Sequence, residues 1–269
     1  MSIKKISIWC LPLMLVGLLV FSTGCITIVG IGDGPLISGS GSLETREMDY
    51  DDFTNIEVGY AFKADITRSA SFSVSITLDD NLFEYLVIQL VGDTLRINLD
   101  PNHSYRNTTQ RAEIALPELH GLELSGASRG DISGFSSTAA LQMEASGASS
   151  LTIDDVKAGS TRFNVSGASR ISGSITITDG DFVVSGASSV DLNGTATDIQ
   201  LDASGASVIR LSAFTVSNAS VDLSGATSAT VNVSDRLDVH ASGASRVIYT
   251  GNPSLGTVSV SGGSTISEQ

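Results

Sequence analysis

The sequence predicts an all-β protein whose main part is a parallel β-helix, a solenoid in which each coil of chain stacks on the one before it. Two observations lead to this prediction. A Ser-Gly-Ala-Ser tetrad recurs at intervals of 18 to 21 residues, and apolar residues alternate with polar ones on both sides of every copy. The tetrads, including the variants SGAT and SGGS, begin at Ser125, Ser146, Ser166, Ser185, Ser204, Ser224, Ser242 and Ser261.

Residues 1–24 have the pattern of an export signal. Lys4 and Lys5 are basic, residues 6–21 are apolar, and small residues precede Cys25. The ending resembles that of a bacterial lipoprotein signal peptide, in which Cys25 would become the lipidated first residue. An uncleaved anchor is the second interpretation, because residues 6–32 carry no charge and are long enough to cross a bilayer. Both interpretations predict an exported protein, held on a membrane at the cell surface or in the periplasm.

Residues 25–38 are predicted to be a flexible tether between the anchor and the folded domain, because glycine recurs there. Removal of residues 1–24 would leave Cys25 as the only cysteine. No disulfide could then form within the mature chain, so its stability would depend on the burial of apolar side chains.

Residues 39–118 are predicted to form β-strands that precede the repeats, at 55–58, 62–68, 72–78, 94–99 and 111–116. A helical turn is predicted over 81–86, with Asn81 as its N-cap and Glu84 completing a capping box. Residues 102–109 are predicted to be a polar loop. The segment could form irregular first coils of the solenoid or a separate small β-layer, and we favour the first coils.

Residues 119–269 are predicted to form about eight coils, each with a corner between two strands. Apolar residues stand three and one positions before each tetrad, with a mostly polar residue between them, so one strand leads into the corner. An apolar column returns five positions after the tetrads begin, with Gly130 as the one exception, so a second strand leaves the corner. A single coil cannot bury its own apolar face, and the coils must therefore stack. We expect a right-handed solenoid.

Every tetrad has glycine in its second place, as a sharp bend repeated in each coil requires. Alanine in the third place is expected to point inward, and the flanking serines are expected to hydrogen-bond from coil to coil. The predicted corner glycines are Gly126, Gly147, Gly167, Gly186, Gly205, Gly225, Gly243 and Gly262.

The chain resembles the family of the putative auto-transporter adhesin, head GIN domain. The resemblance rests on residues 38–42 (SGSGS), 52–56 (DFTNI), 78–82 (LDDNL) and 94–97 (TLRI) together with the SGAS corners, and it covers about residues 38–269. It implies a β-helical protein of the cell envelope with an adhesin-like role. It implies no catalytic residue, because the family has no established one.

Charge and composition exclude several classes of function. The 29 acidic and 15 basic residues give a net charge of −14, which argues against nucleic-acid binding. The histidines lie far apart in the sequence, at 103, 120 and 240, so we expect no metal site, and no cofactor is indicated.

The outward column two residues before each tetrad is the candidate ligand face. Glu123 is expected to stack over Glu144, and Asp202 over Asp222. Stacked carboxylates can attract Ca²⁺ or a cationic partner, but hydrated charges on the surface of a rod are the interpretation we favour.

The sequence predicts no catalytic site. Asp131 and Asp191 share a column but should lie three coils, or about 14 Å, apart, too far for a pair of carboxylates acting on one glycosidic bond. Residues 126–130 match the nucleophile motif G-x-S-x-G, but a corner tetrad followed by a chance glycine explains the match.

Three functions are therefore weighed. The first is a non-enzymatic, lipid-anchored binding module that presents a β-helix face, with its serine columns, to polysaccharide or a surface protein. The second is a structural protein that self-assembles through the open edge of its last coil. The third is a polysaccharide-degrading enzyme.

Overall fold

The structure is a computed structural model that describes residues 34–269. The predicted signal peptide, Cys25 and most of the predicted tether lie outside the described residues. The described part of the chain is nearly all β, with 64% of its residues in strands and 3% in helix, and its parallel strands stack into a solenoid of about seven turns. The predicted fold class is confirmed.

The strands before the repeats are β1 (Leu36–Ser38), β2 (Leu43–Met48), β3 (Asn55–Val58), β4 (Lys63–Arg68), β5 (Ser73–Asp79), β6 (Leu86–Val91), β7 (Thr94–Leu99), β8 (Ser104–Arg106) and β9 (Gln110–Leu116). A 3-10 helix, Asp80–Tyr85, connects β5 to β6. In the part of the chain that the structure describes, no helix is long and apolar enough to cross a membrane.

The strands of the repeats are β10 (Gly121–Leu124), β11 (Arg129–Ser133), β12 (Leu141–Ala145), β13 (Ser150–Lys157), β14 (Thr161–Val165), β15 (Arg170–Thr176), β16 (Asp179–Val184), β17 (Ser189–Ala203), β18 (Val208–Leu223), β19 (Ser228–Ala241), β20 (Arg246–Thr250), β21 (Ser254–Val260) and β22 (Thr265–Glu268). They alternate between two parallel stacks, because each coil contributes one strand before its corner and one after it. The three long strands, β17 to β19, take part in both stacks.

The first stack contains the strands that lead into the corners. Its order is β7, β3, β10, β12, β14 and β16, followed by the second halves of β17, β18 and β19, and then β21. The second stack contains the strands that leave the corners: β9, β4, β11, β13 and β15, the first halves of β17 to β19, β20 and β22.

The apolar columns predicted from the repeat form the core. Leu122 pairs with Met143, which pairs with Phe163, and all three side chains are buried. Next in this column, the ring of Phe182 stacks on that of Phe163, with centroids 4.6 Å apart and planes 7° apart. Phe214, which lies outside the column, contacts Phe182 edge-on at 6.5 Å. Apolar side chains thus stack on apolar side chains from coil to coil.

The corners bend as predicted, but their side chains point differently. The eight corner glycines have φ between +68° and +79°. Ala127 and its equivalents are exposed, whereas Ser128 and its equivalents up to Ser245 are buried, so the prediction that the third-place alanine points inward is wrong. The reason is the alternation of the second strand: Ile132, Gly130 and Ser128 all face inward, which turns residue 127 outward.

Four of the seven buried hydroxyls in the fourth place close the corner within their own coil, those of Ser149, Ser207, Thr227 and Ser245. Ser207, for example, donates to the carbonyl of Ser204 at 2.8 Å, whereas its contact to the Gly186 carbonyl of the coil below is 3.4 Å long. Ser188 contacts only the coil below, at 3.4 Å from the Gly167 carbonyl, and the Ser128 hydroxyl has no hydrogen-bond partner among the described residues. The buried hydroxyls therefore bond partly inside the corner and partly along the ladder, with the shorter distances inside the corner.

The segment before the repeats continues both stacks and then closes their end. β3 pairs in parallel with β10, and β4 pairs in parallel with β11. Beyond them the pairing becomes antiparallel, with β6 on β7, β5 on β9 and β2 on β5. The segment therefore combines irregular first coils with an antiparallel end.

Two local predictions in this segment are wrong. The 3-10 helix has Asp79 at its N-cap and no side-chain cap, so there is no capping box at Asn81 and Glu84. The Asn81 side chain instead donates to the carbonyl of Ser38 at 2.9 Å. Residues 104–106 of the predicted loop form β8, which pairs with β1 at the end of the range predicted as a tether. Both contacts join segments far apart in sequence.

Candidate ligand-binding face

A groove of about 730 Å³ lies on the outer face of the first stack. Its lining residues stand four to six positions before successive tetrads, where outward side chains alternate with buried ones such as Leu141. Many of these side chains are short, and this leaves a depression. The lining, here called the binding groove, is His120, Ala140, Leu141, Gln142, Ser160, Thr161, Arg162, Asp179, Gly180, Asp181, Asp198, Ile199, Gln200, Asn218, Ala219, Ser220 and Asp238.

The binding groove is acidic. Four aspartates line it against the single guanidinium of Arg162, which pairs with Asp181 at 3.0 Å. Asn218 donates to Asp198 at 2.7 Å from the neighbouring coil. Arg236, beside the groove, pairs with Asp238 at 2.7 Å, and the hydrogen bonds from Arg236 and from the backbone of Thr257 lower the pKa of Asp238 to about 2. These contacts leave an array of carboxylates and amides facing the solvent.

The predicted ligand face lies on the same sheet, one outward column nearer the corners. The structure places Glu123 beside Glu144, and Asp202 beside Asp222, as strand partners. Glu123 and Glu144 border a smaller cavity of about 170 Å³, which shares Gln142 with the binding groove. The second pair flanks the groove without lining it.

Sequence reasoning missed two parts of this face. Glu57 of β3 extends the acidic row, because it pairs with Glu123, and Arg96 of β7 ends the row with a 2.8 Å ion pair to Glu57. The lining residues of the groove were also missed. Their signal was present in the repeat, where the residue four before each tetrad is polar in six successive coils, from Gln142 to Asp238.

The surroundings of Glu123 shift its pKa. Partial burial raises the pKa of Glu123, the carboxylates of Glu57 and Glu144 raise it further, and Arg96 lowers it. A carboxyl group with a pKa above its value in the unfolded chain destabilises the fold when it ionises. The contribution of Glu123 to stability therefore falls as the pH rises from the ordinary glutamate pKa through the raised one.

Replacing Glu123 with glutamine is expected to stabilise the protein at neutral pH by about 0.2–1 kcal/mol, because it removes like charges between neighbouring strands that are exposed to solvent screening. Urea unfolding at several pH values would measure this, and the gain should vanish at acidic pH, where Glu123 is protonated. Asp154→Asn is the matched control, since its strand partner is Ser133. An equal gain in the control would contradict the explanation.

Other candidate sites are not brought together. Within residues 34–269, no cluster of three or more His, Cys, Asp or Glu side chains could hold a metal ion. Thr152 and Ser172 separate Asp131 from Asp191 in their column, and Asp131 lies 3.5 Å from Lys63 instead. Ser128 of the G-x-S-x-G match is buried, and a strand rather than a helix follows it, as the corner interpretation requires.

The serine columns are poor candidates for ligand contacts. The hydroxyl-bearing residues in the fourth place, from Ser128 to Ser245, are at most 1% exposed, and those in the first place are only half-buried. The hypothesis that both serine columns carry the ligand contacts is therefore wrong for the fourth-place residues. The outward side chains of the binding groove are better placed than the fourth-place serines to contact a ligand.

Solved structures share this fold. A putative lipid-binding protein from Parabacteroides distasonis superposes with a TM-score of 0.79 at 23% identity, over 87% of this chain and 99% of that one. A putative adhesin from Parabacteroides merdae gives 0.80 at 19% identity, over 87% and 99% of the two chains. A putative adhesin from Bacteroides fragilis gives 0.65 at 21%, over 87% and 100%.

Sequence comparison identifies the family. No curated protein matches the chain. The family described as "Putative auto-transporter adhesin, head GIN domain" matches residues 52–253, which span the first coils and nearly all the repeats. The chain described here, with its glycine-cornered solenoid, belongs to the putative auto-transporter adhesin, head GIN domain family.

Proposed function

We propose that the protein is a non-enzymatic, adhesin-like module of the cell envelope that binds a polysaccharide along the binding groove. The observation that carries the proposal is the groove itself, in which outward polar columns repeat from coil to coil over about 730 Å³. A row of similar hydrogen-bonding groups is complementary to a polymer of similar units. Family membership supports an adhesin-like role and a surface or exported location.

The charge of the groove restricts the polysaccharide. Four aspartates face one arginine in its lining, and the whole chain has a net charge of −14. An acidic glycan would be repelled from this surface, whereas a neutral chain, or one with free amino groups, would not. Carboxylates and side-chain amides such as Asp198 and Gln200 can accept or donate hydrogen bonds to sugar hydroxyls. The proposed ligand is therefore a neutral or amino-bearing polysaccharide.

The proposed anchor is the lipidated Cys25. The small residues before Cys25 and the apolar run before them support cleavage and lipidation at this position. The first described strand begins at Leu36, so only about ten residues would connect the lipid to the solenoid. This arrangement would hold the antiparallel end close to the membrane and leave the groove facing the envelope or its exterior.

The proposal predicts that residues 34–269 retain amino-bearing or neutral glycans and release no new reducing ends from them. Ser220→Trp is expected to weaken retention at least about tenfold, because the indole would fill part of the groove. Thr230→Trp is the matched control, since Thr230 faces outward on the second stack, away from the groove. Affinity electrophoresis and a reducing-end assay would measure both effects.

Several outcomes would contradict this proposal. Release of new reducing ends would make the protein an enzyme and redirect attention to the Asp131 and Asp191 column. Equal loss of retention in the two tryptophan variants would exclude the groove as the site. Retention of phospholipid vesicles but of no glycan would favour the ligand class suggested by the description of the Parabacteroides distasonis protein.

A further inference from the structure

The last coil of the solenoid has apolar side chains with nothing stacked on them. Val258 and Val260 occupy the inward columns of Val239 and Ala241, and Leu255 occupies that of Leu237. The residues of the preceding coil are at most 3% exposed, whereas Leu255, Val258 and Val260 are 48%, 42% and 40% exposed. The last described coil therefore exposes apolar columns that the coils before it bury.

The backbone at this end is also open. β21 pairs with β19 and β22 pairs with β20, and within residues 34–269 no strand pairs with their outer edges. Such an edge presents a row of N–H and C=O groups that can pair with another strand. Natural proteins usually protect edges of this kind with charges, proline or a covering segment. Residues 254–269 contain one charged side chain, that of Glu268, and no proline.

The opposite end is protected. β2 carries Glu44, Arg46 and Glu47, and the guanidinium of Arg46 lies 3.9 Å above the ring of Phe83 in the 3-10 helix. Leu90 and Val91 of β6 are exposed there, but the carbonyl of Ile88 in that strand already accepts a hydrogen bond from Tyr50. Two unlike ends do not favour stacking of one copy's head on another copy's tail.

We propose that the outer edge of β21 is an interface at which two copies of this chain associate tail to tail. A two-fold axis would place the two β21 strands antiparallel, with Thr257, the central residue of the strand, opposite its own copy. The exposed columns of Leu255, Val258 and Val260 would then cover one another. The nearly uncharged edge permits this contact between two acidic molecules, which would repel each other at almost any other surface.

The test uses residues 34–269, which contain the described core and correspond to the whole of the solved chains with this fold. Sedimentation equilibrium is expected to show reversible dimers. Val258→Lys should weaken dimerisation at least about tenfold by placing a charge in the interface. Val91→Lys, an equally exposed valine on β6, is the matched control and should dimerise like the wild type.

A cross-linking variant tests the same contact independently of any loss of stability. Residues 34–269 contain no cysteine, so Thr257→Cys introduces a single thiol at the centre of β21. Directly opposed residues in antiparallel strands have Cβ atoms about 4.5–5.5 Å apart. A shift of the two strands by about 1 Å brings them within the distance of about 3.5–4.5 Å at which oxidation forms a disulfide. Val91→Cys should remain uncross-linked under the same oxidant.

The outcomes separate the proposal from its alternatives. Monomers at all concentrations, or no cross-linking of Thr257→Cys, would overturn it. Masses that grow beyond two copies and fall in Val91→Lys would show head-to-tail polymers instead. Dimers with unchanged glycan retention would support the interface while leaving the groove proposal to its own test, because Ser220 and Val258 lie at different parts of the molecule.

Discussion

Replacing Gly205 with alanine is expected to destabilise the solenoid by about 2–5 kcal/mol, the sum of a conformational cost and a steric cost. Gly205 has φ +79°, where a residue with a side chain loses about 1–2 kcal/mol. A Cβ at this corner would also lie 2.4 Å from the carbonyl oxygen of Gly186 in the coil below, closer than real Cβ contacts allow. The coils would have to separate to relieve the contact.

Gly92→Ala is the matched control, because it isolates the conformational cost. Gly92 lies in the tight turn between β6 and β7 with φ +64°, and a Cβ there would meet no atom within 4 Å. The control should lose only about 1–2 kcal/mol. Urea unfolding would compare the two variants. Equal losses would show that the approach of successive corners is not limiting.

The effect of Gly205→Ala should also be local. Each coil of a solenoid contacts only its neighbours, so the damage should concentrate in the coils of Gly186, Gly205 and Gly225. Amide hydrogen exchange is expected to accelerate in these coils more than in β3 or β4. Uniform acceleration along the whole rod would instead indicate a single cooperative unit.

The repeats were predictable from the sequence because one periodicity dictates both neighbours of every strand. The columns of Leu122 and Leu151 recur in each coil, so counting from the tetrad located the core on both sides of the corner. The prediction failed inside the tetrad, where it placed Ala127 inward because of its small size. The inward residues on the two sides of the corner, Leu124 and Gly130, are separated by an even number of positions, so simple alternation through the corner turns Ser128 inward and Ala127 outward.

The segment before the repeats was less predictable, because its contacts do not recur. The pairing of β1 with β8 and the hydrogen bond from Asn81 to Ser38 join segments far apart in sequence, and neither leaves a local pattern. The alternation of apolar and polar residues likewise does not reveal that β5 and β6 each pair antiparallel with their neighbours. It shows which face of a strand is buried, but not which strand it pairs with or in which direction.

The sequence predicted which sheet carries the candidate site, but not which positions of the repeat line it. The search for stacked charges identified Glu123 and Glu144, since identical residues at one repeat position attract notice. The groove is lined instead by residues of different kinds, many of them short, such as Asp198 and Ser220. A groove forms where few long side chains cover the outer face of the sheet. Patterns of charge or hydrophobicity in the sequence indicate such a groove only indirectly.

Truncating Phe182 to alanine is expected to destabilise the solenoid by about 3–5 kcal/mol, as removal of buried aromatic rings usually does. Phe182 is fully buried between Phe163, stacked at 4.6 Å, and Phe214, edge-on at 6.5 Å. Because backbone hydrogen bonds fix the distance between rungs, the neighbouring coils cannot collapse into the cavity. Val183→Ala, at the half-buried outward position next in the chain, should cost less than about 1 kcal/mol.

A double-mutant cycle separates ring stacking from simple burial. Phe163→Leu keeps most of the apolar volume but removes the parallel partner of Phe182. If stacking contributes, the loss in the double variant Phe163→Leu/Phe182→Ala should fall short of the sum of the single losses by about 0.5–1.5 kcal/mol. Strict additivity would mean that the column is stabilised by volume alone. Any large apolar residue could then replace the aromatic pair, and the two phenylalanines would have no special part in holding the coils in register.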